Sequence, residues 1–216
     1  MRSTSTRRAL RPVGVALTLI IVIAALAPRL QPVAAATPQA STRAMAAPFD
    51  RQFIDMMAPH HQSAVAMAQV ALTRAQHPQI KSLARSIITD QNSEISQMKA
   101  WRAQWYGSST TPSMANMPML PGLKTGMSGM SMMQDIATLK KANPFDKAFI
   151  DAMMPHHQLA IDAATLELAH GTHQQLKDLA LSIIKGQSRE EGLMQAYRDL
   201  WYGSMGGMSG MSGMGH

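Results

Sequence analysis

The sequence predicts an all-α protein: a four-helix bundle assembled from two copies of one αα-hairpin joined by a long crossover. Three observations carry that reading. Residues 49–108 and 145–204 align without a gap at an offset of 96, with about half of their positions identical. Within each copy the apolar residues recur at helical spacing, and no stretch shows strand alternation. The segment between the copies, residues 109–144, is far longer than two neighbouring helices need, so it can travel the length of a bundle. Aromatic residues are only 5% of the chain, which argues against a β-sandwich or barrel.

The elements follow in order. Arg2, Arg7, Arg8 and Arg11 precede an uncharged apolar run, VGVALTLIIVIAALA at residues 13–27, closed by Pro28 and followed by Ala34-Ala35-Ala36. This is the pattern of a cleaved export signal over residues 1–36, too short for the ~20 residues of a membrane-spanning helix. Arg7-Arg8 partly resembles a twin-arginine signal. The expected location is the periplasm or the exterior of a bacterium, with no membrane contact after cleavage. Residues 37–48 read as a loose leader.

The bundle proper is expected over residues 49–204. Phe53, Ile54, Met57, His61, Ala64, Ala68 and Leu72 mark one face of a helix from Phe49 to about Ala75. Asp50 stands in its first turn, where a negative charge suits the helix dipole. Pro78 opens the second helix at N1, and Gly107 ends it after Tyr106. The second copy repeats this: Phe145 to Ala169, a turn at 170–172, then Gln174 to Tyr202 and Gly203. Pro59 and Pro155 fall inside the first helix of each pair, where proline removes a hydrogen bond and favours a bend. The crossover is rich in Ser, Gly, Pro and Met, with a short helix expected at Met132–Lys141. A single crossover of this length matches the ferritin-like topology. Residues 205–216 form a Met/Gly-rich tail.

Composition narrows the function. The chain is 46% hydrophobic and 15% charged, which is globular. It has no cysteine, so disulfides, Cys-ligated zinc, iron–sulfur clusters and thiol nucleophiles are excluded. The net charge of +7 comes mostly from the five arginines of residues 1–36; the remainder carries 15 basic and 13 acidic residues. Such a balance exerts no strong pull on a nucleic-acid backbone. The unusual counts are 20 methionines and 8 histidines.

Several of these residues sit at ligand spacing. Met57, His60 and His61 are spaced i, i+3, i+4, and Met153, His156 and His157 repeat the pattern, so each set lies on one helix face. Met98 and Met194 occupy matching places in the partner helices, each four residues after a glutamate, Glu94 or Glu190. Thioether is a soft neutral donor and imidazole a borderline one; together they favour copper(I), or silver(I) as its mimic. A single buried Met or His is usually core, and Met56, Met67 and Met154 are read that way; the repeated His-His pairs after proline are read as ligands. His77 and His173 lie near hairpin turns, where capping competes with ligation. Crossover methionines, Met127 and Met130 among them, and tail residues Met205, Met208, Met211, Met214 and His216 are secondary candidates. In Gly/Ser sequence these methionines are expected to be exposed, and so available for metal capture or sacrificial oxidation.

The phrases FDRQFIDMMAPHHQ and FDKAFIDAMMPHHQ, each followed by LAxSII…Q…E…M and a WYG ending, resemble the domain of unknown function 305 family. The resemblance covers about 49–204. It implies a ferritin-like fold and, since exported members have been linked to copper binding and tolerance, copper or silver ligation at Met57, His60, His61, Met98, Met153, His156, His157 and Met194. The chain is asymmetric at Met56 against Ala152 and Ala58 against Met154, so the two sites are expected to differ in affinity.

The leading reading is an exported copper(I) buffer or chaperone, with a copper exporter or a copper enzyme's maturation as its partner context. One alternative is a di-iron oxidase or peroxidase. It requires two Glu-x-x-His motifs; this chain has one, Glu167 to His170, against Ala71 to Arg74 in the first copy. A second alternative is a non-catalytic envelope stress protein using methionine as antioxidant. No catalytic triad pattern is present, so no enzyme activity is expected.

Overall fold

Among the described residues, five helices build the protein. In chain order they are α1 (Phe49–Arg74), α2 (Pro78–Tyr106), α3 (Gly129–Leu139), α4 (Phe145–His170) and α5 (Gln174–Tyr202), with a single 3-10 turn at Met114–Asn116. The structure is a computed structural model describing residues 47–124 and 129–203, and among these there is no strand. The expected signal segment, most of the leader, Met127 and the tail with Met205, Met208, Met211, Met214 and His216 lie outside the described residues, as does the side chain of Met130. Among the described residues no helix is long and apolar enough to cross a membrane.

Helix ends fall where the sequence chemistry puts them. Pro78 opens α2, its missing N–H costing nothing in the first turn. Gly107 ends α2 in the left-handed conformation, φ 78°, and its N–H closes on the Ala103 carbonyl. Helices α1 and α4 continue through Pro59 and Pro155. Each proline leaves the carbonyl four residues earlier, on Asp55 or Asp151, without its helical donor.

The pairs α1–α2 and α4–α5 are hairpins, and α1 packs antiparallel against α4. The direction is set by contacts at both ends. Asp146, in the first turn of α4, accepts the backbone N–H groups of Gln76 and His77 at the end of the α1–α2 turn. Asp50, in the first turn of α1, accepts those of Thr172 and His173 at the α4–α5 turn. The two hairpins therefore clasp each other through a pseudo-two-fold arrangement.

That arrangement leaves the end of α2 and the start of α4 at opposite ends of the bundle, so the crossover runs its full length. It is anchored on the way. Leu120 enters the core at one end, Met132 is fully buried midway, and Leu139 joins the core at the other end. Arg74 then donates to the Leu139, Lys140 and Ala142 carbonyls, satisfying the last turn of α3 and the residues beyond it. The expectation that crossover methionines are all exposed is corrected for Met132: α3 is amphipathic and turns this residue inward.

Among the described residues there are two apolar cores. One gathers Ala64, Met67, Ile80, Phe145, Phe149 and Ile150 around Met153 and Met194. The other gathers Phe53, Ile54, Ala160, Leu176 and Ile183 around Met57 and Met98. Both draw on both hairpins. Met56 and Met67 are buried, while Met154 is half-buried against the first core.

Candidate metal centre

The two cores meet the paired histidines. His60, His61, His156 and His157 are all at most 1% exposed. Four imidazoles in a protein interior need partners, and the way they are partnered defines the site.

His61 Nε2 lies 2.7 Å from Glu94 Oε2, and His157 Nε2 lies 2.8 Å from Glu190 Oε2. An ionised carboxylate only accepts, so in each pair the ring proton sits on Nε2. In the neutral ring this leaves Nδ1 with a bare lone pair. Both Nδ1 atoms are buried and lack any hydrogen-bond partner. A histidine held by a carboxylate at one nitrogen, with the other nitrogen free and inward, is the arrangement that orients imidazole for a metal.

Four methionines are buried one helical turn from these residues. Met57 and Met98 are fully buried in one core, and Met153 and Met194 in the other. Met57 is one helical turn before His61, and Met98 one turn after Glu94, so α1 supplies a thioether and imidazole while α2 supplies the backing carboxylate and second thioether. Helices α4 and α5 do the same with Met153, His157, Glu190 and Met194. Among the described residues no three His, Asp or Glu side chains converge as a metal-holding group. A set that joined these thioethers to the imidazole nitrogen would suit a soft ion of low coordination number.

His60 and His156 occupy the junction between the hairpins, their ring centroids 3.8 Å apart. Burial, reinforced by the neighbouring histidines, pushes both well below the ordinary imidazole range, so both are neutral near pH 7.

Helices α2 and α5 barely touch and leave clefts between them. One, of about 550 Å³, is lined by Asp90, Glu94, Trp101, Asp178 and Leu179. The other, of about 290 Å³, is lined by Leu83, Arg189, Glu190, Leu193 and Tyr197. Each reaches the carboxylate that holds a site histidine. The first carries three acids and no base, which favours approach of a cation.

His77 and His173 are placed elsewhere. Each is the N-cap residue of α2 or α5, but neither side chain caps its own helix. His77 Nδ1 donates to Asp146 at 2.6 Å with its ring stacked 3.7 Å from Trp201. His173 Nδ1 pairs with Asp50 and stacks 3.7 Å from Trp105. The expectation of a capping role is corrected because the aspartates of the facing hairpin reach the turn first. Burial alone would raise the Asp50 carboxyl, but hydrogen bonds from Thr172 and His173 hold it down at about 2.

The Glu167-x-x-His170 motif also resolves into packing. Glu167 is fully buried, pushed up to about 9 by burial and by Asp50 beside it. It covers Gly171, where a Cβ would overlap its carboxyl. His170 instead packs on Phe49, with centroids 5.2 Å apart.

Four contributors escape the sequence reading. Glu94 and Glu190 are visible there only as acids one turn before Met98 and Met194. Met132 falls among methionines expected to be exposed, although the amphipathic pattern of α3 is a usable signal. Ser63 carries no signal at all.

The domain of unknown function 305 (DUF305) model matches residues 50–198. The chain belongs to this DUF305 family. Among solved structures, CopM in the Cu(I)-bound form is 38% identical, covering 71% of this chain and 98% of CopM with a TM-score of 0.58. CopM has also been solved in Cu(II)-bound and Ag-bound forms. A DUF305 fragment from Deinococcus radiodurans is 26% identical over 69% of this chain and 95% of the fragment, with a TM-score of 0.56. An uncharacterized protein of Acanthamoeba polyphaga mimivirus, L153, is 39% identical over 51 residues, 24% of this chain; the match spans only 34% of the viral protein. DUF305 membership and the all-helical fold agree with the expectations drawn from the repeat.

Proposed function

We propose that this DUF305 protein is an exported copper(I)- and silver(I)-binding protein that sequesters or hands on copper in copper tolerance, without catalysing a reaction. The observation that carries the reading is the pair of Glu-backed histidines. His61 and His157 each carry an unpartnered Nδ1, and fully buried methionines stand one helical turn away, Met57 from His61 and Met153 from His157, with Met98 and Met194 one turn from the backing glutamates. Thioethers and neutral imidazoles carry no charge. A monovalent soft ion therefore enters each core with less electrostatic mismatch than a divalent one, and needs no deprotonation of sulfur. The similarity to CopM, a protein solved with Cu(I), Cu(II) and Ag, supports the choice of ion. The basic and apolar N-terminal residues support export, and a copper exporter or a copper enzyme under maturation is the partner class this role requires.

Anaerobic titration of the exported protein with copper(I), against zinc(II) and iron(II), tests the proposal. Changing Met57 and Met153 together to Leu keeps size and hydrophobicity, at a typical cost below ~1.5 kcal/mol per site. The double variant is expected to keep its helical spectrum and lose tight copper(I) binding. Deletion of residues 205–216 is expected to lower stoichiometry and leave the tight sites intact. Unchanged copper(I) affinity in the Leu variant, with binding abolished by the tail deletion, would assign the helical methionines to packing and the tail to metal.

A further inference from the structure

The centre of the bundle holds more lone pairs than donors. Ser63 Oγ lies 2.6 Å from the His60 carbonyl, 2.6 Å from His156 Nε2 and 3.4 Å from Met132 Sδ. Its single proton serves one of these. If His156 donates from Nε2, its buried Nδ1 lone pair is left without a partner; if Ser63 donates to His156, the ring proton moves to the buried Nδ1, which likewise has no partner. His60 is less satisfied still: neither ring nitrogen makes a hydrogen bond of normal geometry, and the polar group nearest its ring is the His156 backbone. The repeat explains why: the position equivalent to Ser63 is Leu159, which offers no hydroxyl. Unmet buried polar groups are destabilising, yet the rings lie 3.8 Å apart and the fully buried Met132 sulfur meets the same Ser63 hydroxyl that meets His156.

We propose that His60, His156 and Met132 form a third soft-metal site, one that lies between the two repeat-derived sites and depends on the crossover. A copper(I) or silver(I) ion there takes one imidazole nitrogen from each hairpin and the sulfur of α3, a neutral set of two nitrogens and one sulfur that fits a three-coordinate ion. The two rings turn about their side-chain torsions to direct one in-plane lone pair each at the ion, and Ser63 donates to the His60 carbonyl. Unlike the outer sites, this one has no symmetric copy, because α3 has none. The site follows from its own donors; only the identity of the ion rests on the function proposed above.

Silver(I) titration of the exported protein, with its methionine methyl groups labelled for NMR, tests this directly. Met132→Leu, isosteric and inside α3, assigns the resonance. The Met132 methyl is expected to shift and saturate, and native mass spectrometry is expected to find one fewer silver ion on the Leu variant than on the parent. The methyls of Met57, Met98, Met153 and Met194 should respond alike in both proteins. Ser63→Ala should retain the third equivalent. A stationary Met132 methyl while the other four move, or equal stoichiometry in parent and Leu variant, overturns the central site and leaves the outer ones standing. Movement of Met132 with the other four stationary upholds the central site and overturns the outer ones.

Discussion

At the scale of single residues, the protein uses carboxylates in two opposite ways. Glu94 and Glu190 stand behind His61 and His157 and fix which nitrogen carries the proton. Replacing both by Gln keeps a hydrogen bond but removes the charge that makes each imidazole a better donor. Outer-shell changes of this kind typically lower metal affinity 10–100-fold. Copper(I) competition titrations of the double variant should show that loss with stoichiometry unchanged. Glu167 does the reverse: burial, then Asp50, lift it to about 9, so the folded state holds a proton that the unfolded chain releases near 4.5. More protons are bound in the folded state between those values, so stability falls as pH rises from about 4.5 towards 9. Glu167→Gln removes this term. Its melting temperature is expected to exceed the parent's at pH 8, reflecting a stability gain of order 1–3 kcal/mol, and to converge with it near pH 4. Thermal melts across that range check the sign.

At the scale of elements, equivalent contacts in the two hairpins differ in burial. Arg102 of α2 grips Asp55 of α1 through Nε at 2.6 Å and Nη2 at 3.2 Å, and also donates to the Ser108 carbonyl, with only 7% of its side chain exposed. Arg198 of α5 meets Asp151 of α4 at 2.6 Å on the surface, where Lys147 shares the same carboxylate. Removing Arg102 leaves the largely buried Asp55 only the more exposed Arg51, 3.6 Å away, whereas the exposed Arg198–Asp151 pair is replaced by water. Arg102→Ala is therefore expected to destabilise the protein by about 1–3 kcal/mol. Arg198→Ala should leave chemical denaturation curves close to those of the parent.

At the scale of the whole molecule, neither hairpin owns a core. Met57 and Met98 pack among Ala160, Leu176 and Ile183 of the second hairpin, while Met153 and Met194 pack among Ala64, Ile80 and Ile87 of the first. The end clasps are likewise reciprocal, Asp50 to His173 and Asp146 to His77. A single hairpin thus leaves half of two cores facing water. Residues 145–203 produced alone are expected to pair with a second copy, turning the pseudo-two-fold into a true one. Sedimentation and circular dichroism should show helicity that rises with concentration; a helical monomer at low micromolar concentration would contradict this.

Local chemistry is enough for some features and not for others. The four long helices, their starts at Phe49, Pro78, Phe145 and Gln174, and the Met/His faces at Met57–His61 and Met153–His157 are legible because helical period, capping and i, i+4 spacing are properties of neighbouring residues. What the histidines contact is not, because Glu94 is 33 residues from His61 and Ser63 is 93 from His156. The hairpin turns even mislead: His77 and His173 look like caps until Asp146 and Asp50 of the opposite hairpin are seen on them. Met132 looks like one more crossover methionine until α3 turns it onto Ser63. By itself the sequence determined the helices, the duplication and the soft donors, all set by short-range rules. Only the tertiary structure decided which nitrogen of each histidine is free, that the two cores are shared, and that the crossover reaches the centre, because each depends on burial and on partners distant along the chain.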